Sequence, residues 1–518
     1  MKKFGAILFV AGLVPAMFAQ TNDSVDQANA PIQFPPVLLG QTNAPVVRPM
    51  SLQDCIAAAV EHNFDVRIER FEPLKAQLSV EAAYAGYDPI FRAAGTHTFN
   101  ESGTLFQNGL SVPPQITDAN SLSSSLSGVL PSGLQYNIGG NIAESYGSVG
   151  GNPPFDTTGG NVGITLDQPL LKNLWIDSTR LQVTAAKNQM KFTQQSLRQQ
   201  LITTISAVES AYYELIYDRE NVNVQQEALN LALTQLDQDN QRVKIGSVAE
   251  RAGTLEQDEA QVAQNKSSLI LALSQLGTQE RALKILITDR YSDAIFQDIQ
   301  PTTPLEATLQ VFDLQDSWNK GLTQRPDFLQ AKINVEQEGI QLKFDRNQLF
   351  PQLDLTGSYG FNGAGKEYSD ALGQVNEGNR PFYSYGGRLT VPLDNLAART
   401  QYKSDKAVEA QDLLKLKQLE QTIMVQIDNA IGTARSDYAN LEYTKQARVS
   451  AQAALDAEQK KYAVGKSTTF DVLQLQNKLT AAKSAEIRAV ATYEEDLVNL
   501  AQTEGSTLER RNVDVTTK

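Results

Sequence analysis

From Leu174 to Val243 the chain runs 70 residues without a proline or a glycine, and apolar residues recur in it at a step of seven: Leu201, Val208, Leu215, Val222, Leu229, Leu236 and Val243. A seven-residue apolar step is the seam of a left-handed coiled coil, so this stretch predicts one continuous helix. At 1.5 Å per residue it reaches about 100 Å, far beyond a globular domain's helix of about 8–20 residues. Arg242-Val243-Lys244-Ile245-Gly246-Ser247 then supplies a glycine stop with basic residues in the last turn. A second helical run, 255–287, leads back, making a very long hairpin over 174–287.

The second half repeats the first. Leu52-Gln53-Asp54 recurs as Leu314-Gln315-Asp316 and Pro89 as Pro351, both at an offset of 262. Gln168-Pro169-Leu170 is answered by Val391-Pro392-Leu393, and Ile245-Gly246-Ser247 by Val464-Gly465-Lys466. Proline to glycine is 77 residues in the first half and 73 in the second. Such self-similarity is a duplication and predicts pseudo-symmetry. The repeats are 51–300 and 301–504, each with short helices, strands, a Pro-Leu junction and a long helical hairpin; the second hairpin covers 396–502. Its seam is Ile427, Ala434, Leu441, Leu455 and Tyr462, interrupted by Arg448. Ser51 and Asp54 predict a capping box opening the first short helices, with a break near Pro73.

Strands fall between the prolines, at 90–168 and 352–392. Leu353, Leu355, Tyr359 and Phe361 alternate with Asp354, Thr356 and Ser358; Tyr385 and Leu389 alternate with Ser384, Gly386 and Arg388; Val162, Ile164 and Leu166 do the same in the first half. One apolar and one polar face fit a soluble sheet with a wet side, or an outer-membrane barrel with lipid outside and a polar lumen. No other sheet in the sequence is available to pack on, which favours the barrel. A membrane sheet must close, and the four strands expected per chain cannot enclose a pore, so several chains must share one barrel. The first half has a surplus: Pro89 to Pro169 spans 80 residues against 41 from Pro351 to Pro392. It holds a hairpin candidate, 122–130 and 134–146, which is either an external loop or two more barrel strands.

The chain opens with Lys2 and Lys3, an apolar run and Ala19, the layout of a signal peptide over 1–19. Residues 20–50, rich in Pro, Asn, Gln and Ala, predict an unpacked leader, and 505–518 a flexible tail. Net charge is −14, or −16 once Lys2 and Lys3 are removed, which argues against nucleic acid. The single Cys55 permits no internal disulfide and predicts a small packed side chain. Two histidines, His62 and His97, give no basis for a His-built centre, and no nucleophile, paired-carboxylate or metal constellation emerges. No enzyme and no cofactor is expected. Acids such as Asp237, Asp239, Glu256, Asp258 and Glu259 predict a solvated helix face.

Signal peptide, duplicated strands, Pro-Leu junctions and paired tip turns together resemble the TolC-type outer-membrane efflux protein family over roughly 51–502. The residues that carry the likeness most specifically are Arg242-Val243-Lys244-Ile245-Gly246, Lys461-Tyr462-Ala463-Val464-Gly465 and Phe470-Asp471-Val472-Leu473-Gln474. The resemblance implies a mainly α protein with membrane β: long coiled-coil hairpins below strands that contribute to a shared trimeric outer-membrane barrel, twelve-stranded in the family. It implies a homotrimer in outer-membrane lipid that extends into the periplasm and meets a periplasmic adaptor and an inner-membrane transporter. The chain would then be the passive exit duct of a tripartite efflux or type I secretion system. Members often carry an acidic ring beyond the second tip, a position matched here by Asp471; Gln474 stands where some have a second acid. Asp471 is therefore read as a periplasmic gate residue or as a favourable acid at the start of the returning helix, and Tyr462 and Arg251 as latches or ordinary exposed residues. Gly246, Ser247, Gly465 and Lys466 would present the tips to the adaptor. The rival is a poreless structural coiled coil of the periplasm or cell surface, for which the alternating strands have no use.

Overall fold

The computed structural model describes residues 46–103, 105–107, 110–112, 115–148, 153–244 and 253–513. The expected signal peptide, most of the leader, and Gly246, Ser247 and Arg251 of the first tip lie outside the described residues.

In chain order, β1 (Val46–Met50) leads into α1 (Leu52–His62), α2 (Phe64–Glu69) and α3 (Phe71–Tyr84). The capping box is present: the Asp54 amide donates to Ser51 Oγ at 3.2 Å and the Ser51 amide to Asp54 Oδ2 at 3.0 Å. The helix breaks fall at Asn63 and at Arg70, three residues before Pro73, which sits in the first turn of α3, where its missing N–H costs nothing. Next come β2 (Ile90–Glu101), β3 (Leu105–Gln107), β4 (Leu110–Val112), β5 (Ile116–Val129), β6 (Gln135–Ser148) and β7 (Phe155–Pro169). Then follow α4 (Ser178–Lys244), α5 (Gly253–Ile287), α6 (Tyr291–Ala294), β8 (Gln297–Pro301), α7 (Leu314–Gln324) and α8 (Pro326–Gln348). The chain ends with β9 (Gln352–Gly365), α9 (Tyr368–Glu377), β10 (Pro381–Thr390), α10 (Leu396–Ala463), α11 (Thr469–Glu504) and α12 (Thr507–Arg510).

The two giant helices are 67 and 68 residues long. The first starts at Ser178, four residues later than its proline-free run, because Asn173 and Trp175 turn left-handed at φ 66° and 58°. Arg180 holds this corner, donating to the Trp175 carbonyl at 3.0 Å with its guanidinium over the indole. Leu201, Val208, Leu215 and Leu229 of the expected seam are buried. In the second seam the break at Arg448 is filled by an ion pair with Glu486 of α11.

Two corrections concern the chain ends. The last five residues assigned to the leader form β1, which pairs with β8, and Met50 is buried. Residues 506–513 of the expected tail are packed and not loose: Leu508 of α12 joins the main core and Arg511 pairs with the buried Glu209 of α4, while 514–518 lie outside the described residues. That core gathers Cys55, Ile56, Ile205, Val208, Tyr212 and Leu215, with Leu283 of α5. Tyr212 ties β1 to the segment after β8, donating to the Met50 carbonyl at 3.0 Å and accepting from the amides of Thr302 and Thr303 at 3.2 Å. Burial pushes the Cys55 thiol up to about 12, so it packs as a small inert side chain.

The surplus of the first half resolves as sheet. One six-stranded antiparallel sheet has the order β10-β9-β7-β6-β5-β2, so among the described residues this sheet takes six strands and not the four expected. The turn between β5 and β6 closes with the Leu130 amide donating to the Leu134 carbonyl at 2.8 Å. Gly133 there has φ 86°, and a Cβ on it would stand 2.7 Å from the Asn173 carbonyl oxygen, so this turn is seated on the strand-to-helix corner.

Candidate functional site

Two places carry functional chemistry: the sheet and the hairpin tips. Residues in register across the sheet share a face. One such row runs Phe91, Leu126, Ile138, Ile164, Tyr359, Tyr383 through all six strands. Neighbouring rows add Leu122, Ile142, Val162, Phe361, Leu166, Leu355 and Leu389 on the same face. Most of these large side chains are exposed, with no described residue packed over them. The opposite face carries Thr96, Ser121, Ser123, Asn137, Asn141, Asn161, Thr165, Ser358 and Ser384. An apolar belt outside and small polar groups inside are what lipid and an aqueous lumen demand. Both inserted strands, β5 and β6, carry the belt. No described helix is long and apolar enough to cross a membrane.

At the second tip, α10 ends in a Schellman motif. The Gly465 amide donates to the Tyr462 carbonyl at 3.1 Å and the Lys466 amide to the Lys461 carbonyl at 2.9 Å, with Gly465 at φ 72°. Glu458 braces the turn, accepting from Ser467 Oγ at 2.6 Å and from Lys461 Nζ at 2.9 Å. The Ser467 hydroxyl, and after it Lys461, holds the Glu458 carboxyl below its usual range. α11 then opens with Thr468 as its cap: the Asp471 amide donates to Thr468 Oγ1 at 3.3 Å, and that hydroxyl donates to Asp471 Oδ2 at 2.7 Å. Asp471 is half-buried, and its described contacts are those of a helix start.

Tyr462 does more than face solvent. Its hydroxyl donates to Asp239 of α4, and Thr469 Oγ1 of α11 donates to the same carboxylate at 3.1 Å. Gln235 donates to it at 2.9 Å, and the Arg242 guanidinium lies 4.1 Å from the centre of the Tyr462 ring. Asp239 therefore binds the first hairpin to both helices of the second. Asp239 and Asp258 were expected on a solvated face; the structure buries them at 3% and 0% exposure. No described donor reaches either Asp258 oxygen, and burial, then the neighbouring Asp239 carboxylate, pushes its pKa up to about 7. Higher up, polar pairs continue the join between the hairpins: Gln261 and Asn477 exchange hydrogen bonds at 2.9 and 3.0 Å, Lys483 pairs with Glu227, and Arg488 with Glu214.

A profile of the family described as "Outer membrane efflux protein" matches residues 137–288 and 319–506. The outer membrane efflux protein BepC of Brucella suis is 25% identical over 368 residues, 68% of this chain and 75% of that one. The outer membrane protein TolC of Escherichia coli is 23% identical over 324 residues, 59% of this chain and 62% of that one. Among solved structures, the outer-membrane channel OprN aligns at a TM-score of 0.65 with 14% identity, covering 88% of this chain and 90% of its own. The CmeC outer membrane channel of Campylobacter jejuni aligns at 0.62 with 16% identity and 90% coverage of both. These likenesses concern the fold.

Proposed function

The chain belongs to the outer membrane efflux protein family, whose members are channels and not enzymes, and from this premise we propose that it is the passive exit duct of a tripartite system. As a family member it is an outer-membrane efflux channel that sits in the outer membrane and reaches into the periplasm. On our reading three copies assemble around one pore, the hairpin tips meet a periplasmic adaptor, and a separate inner-membrane transporter supplies the energy. The observation that carries this is the unbroken apolar belt across six strands standing on two hairpins of about 100 Å. A poreless rod has no use for such a belt. At the tip, Tyr462 and Asp471 act as gate residues: the first as a latch through Asp239, the second as one member of a ring of three carboxylates that attracts cations. Gly465 and Lys466, with Gly246 and Ser247 of the first tip, form the adaptor contact, and Arg251 is a further latch.

Single-channel conductance in a planar bilayer tests this. The wild-type protein is expected to give stable, low-conductance steps. Tyr462→Phe is expected to raise the step size by loosening the latch, and Asp471→Asn to weaken cation preference. Unchanged selectivity in Asp471→Asn removes it from the gate while the duct stands. Absence of steps in both variants and the wild type, from folded trimeric protein, defeats the duct.

A further inference from the structure

The sheet ends in two unpaired strands, β10 and β2. Open edges in lipid leave backbone groups without partners. All residues of β2, and all but one of β10, are exposed, unlike the inner strands. Strand direction alternates across six strands, so the β10 edge of one copy is antiparallel to the β2 edge of the next.

The duplication specifies how these edges meet. β7 and β10 are the last strands of their halves, ending at Pro169 and near Pro392; β2 and β9 are the first, starting after Pro89 and Pro351. The β7–β9 contact is thus the internal copy of the β10–β2 contact between protomers. Its register pairs Asn161 with Asn362, Val162 with Phe361, Ile164 with Tyr359 and Leu166 with Gly357. Moving β7 to β10 by 223 residues and β9 to β2 by 262 converts these to Ser384 with Asn100, Tyr385 with Phe99, Gly387 with His97 and Leu389 with Gly95. The translated pairs keep every face: Tyr385, Phe99 and Leu389 stay in the apolar belt, Ser384 and Asn100 in the lumen. Large residues meet small ones, two aromatics meet each other, and no like charges are opposed. The internal seam also has the Leu170 amide donating to the Leu353 carbonyl at 2.7 Å. The counterpart of Leu170 is Leu393, which is 99% exposed against 40% for Leu170, as a residue whose covering strand belongs to another copy would be.

We infer that three copies close one eighteen-stranded barrel (three times six) through this β10–β2 register, in place of the twelve strands of the family pattern. The inference rests on the trimer reading above. Barrel diameter grows about linearly with strand number, so the membrane pore is about one and a half times as wide as a twelve-stranded one, and it is lined by Ser, Thr, Asn and Gly. The outer-membrane section is then the widest part of the path, and the tips set its conductance.

The test pairs Asn100→Cys with Ser384→Cys in the full chain, oxidised in outer-membrane fractions; Cys55 is buried and inert. Disulfide-linked dimers and trimers are expected from the double variant and from neither single one. Efficient crosslinking of Ser384→Cys with Thr98→Cys and not with Asn100→Cys overturns the register. A strand count in an electron cryomicroscopy map of wild-type trimers checks the closure without mutation: eighteen supports it, and twelve with β5 and β6 outside the wall overturns it. Monomers alone would instead defeat the trimer reading on which the inference rests.

Discussion

At the residue scale the tip turns on two carboxyl groups packed against each other in a coiled-coil seam. The folded tip holds the Asp258 proton to about pH 7, against an ordinary value of 3.8. A carboxyl whose pKa is raised on folding leaves stability intact below its ordinary pKa and lowers it as pH rises through the folded value. The packing of α4 on α5 near Asp258 is therefore expected to loosen between about pH 4 and pH 7, through the charging of a buried group that no described donor reaches. Asp258→Asn keeps the shape and removes the charge. It should flatten this pH dependence and, above pH 7, stabilise the lower hairpin by about 1–3 kcal/mol, the cost of an unsatisfied buried group. Hydrogen exchange of α4 and α5 amides at pH 5.5 and 8 measures it; a variant looser than wild type at pH 8 would mean that the ionised acid is needed. These acids were legible as members of a second seam row but easily passed over. Leu197, Thr204, Ala211, Asp218, Gln225, Ala232 and Asp239 follow at the same step of seven, three residues after the apolar row, and Asp258, Asn265, Ala272 and Gln279 do so on α5. A polar residue in a seam row reads as surface until its partners are seen, and two of those of Asp239 come from the other hairpin, more than 200 residues away.

At the scale of elements, one substitution at two glycines of one hairpin should act with opposite signs. Gly432 lies inside α10 with open space where a Cβ would stand, so Gly432→Ala should stabilise the helix by about 0.5–1 kcal/mol. Gly465 has equal space but φ 72°, so Gly465→Ala should cost about 1–2 kcal/mol through backbone strain alone. Thermal melting reports the first. The second should appear as faster exchange at the α10–α11 turn with little change in global melting, because the tip is far from the main core. Equal effects at both sites would show that the turn does not depend on its left-handed residue. The helices were legible almost to the residue, since a seven-residue period over nearly seventy residues has no other reading, and only the left-handed Asn173 and Trp175 delayed a start. The β5–β6 hairpin was not legible as wall. Leu122-Ser123-Ser124-Ser125-Leu126 alternates as an external hairpin does, and only its pairing with β2 and β6 assigns it to the sheet.

At the scale of the whole molecule the two repeats are joined by strand pairing of β7 with β9, by α4 against α8, where Lys191 pairs with Glu336, and by the polar ladder from Glu214 down to Asp239. This division sets what each compartment can reach. The end of the sheet away from the helices carries α9, with exposed Lys366 and Arg380 on either side of it, while the helices carry exposed basic residues such as Lys191, Lys415 and Lys461. An unprotected hairpin would be cut by trypsin along its whole length. If the barrel spans the outer membrane and the helices hang beneath it, trypsin added to intact cells should cut at most after Lys366, since the Arg380–Pro381 bond resists trypsin, leaving two large fragments. Permeabilising the outer membrane should then expose the helices, and fragments ending in the long hairpins should appear. A surface rod would be degraded at once in intact cells, and a free periplasmic rod would leave the Lys366 region uncut until permeabilisation. The order of cleavage therefore separates the duct from both forms of the structural rival, because only a chain with its sheet in the membrane offers the α9 side to the medium while hiding its helices.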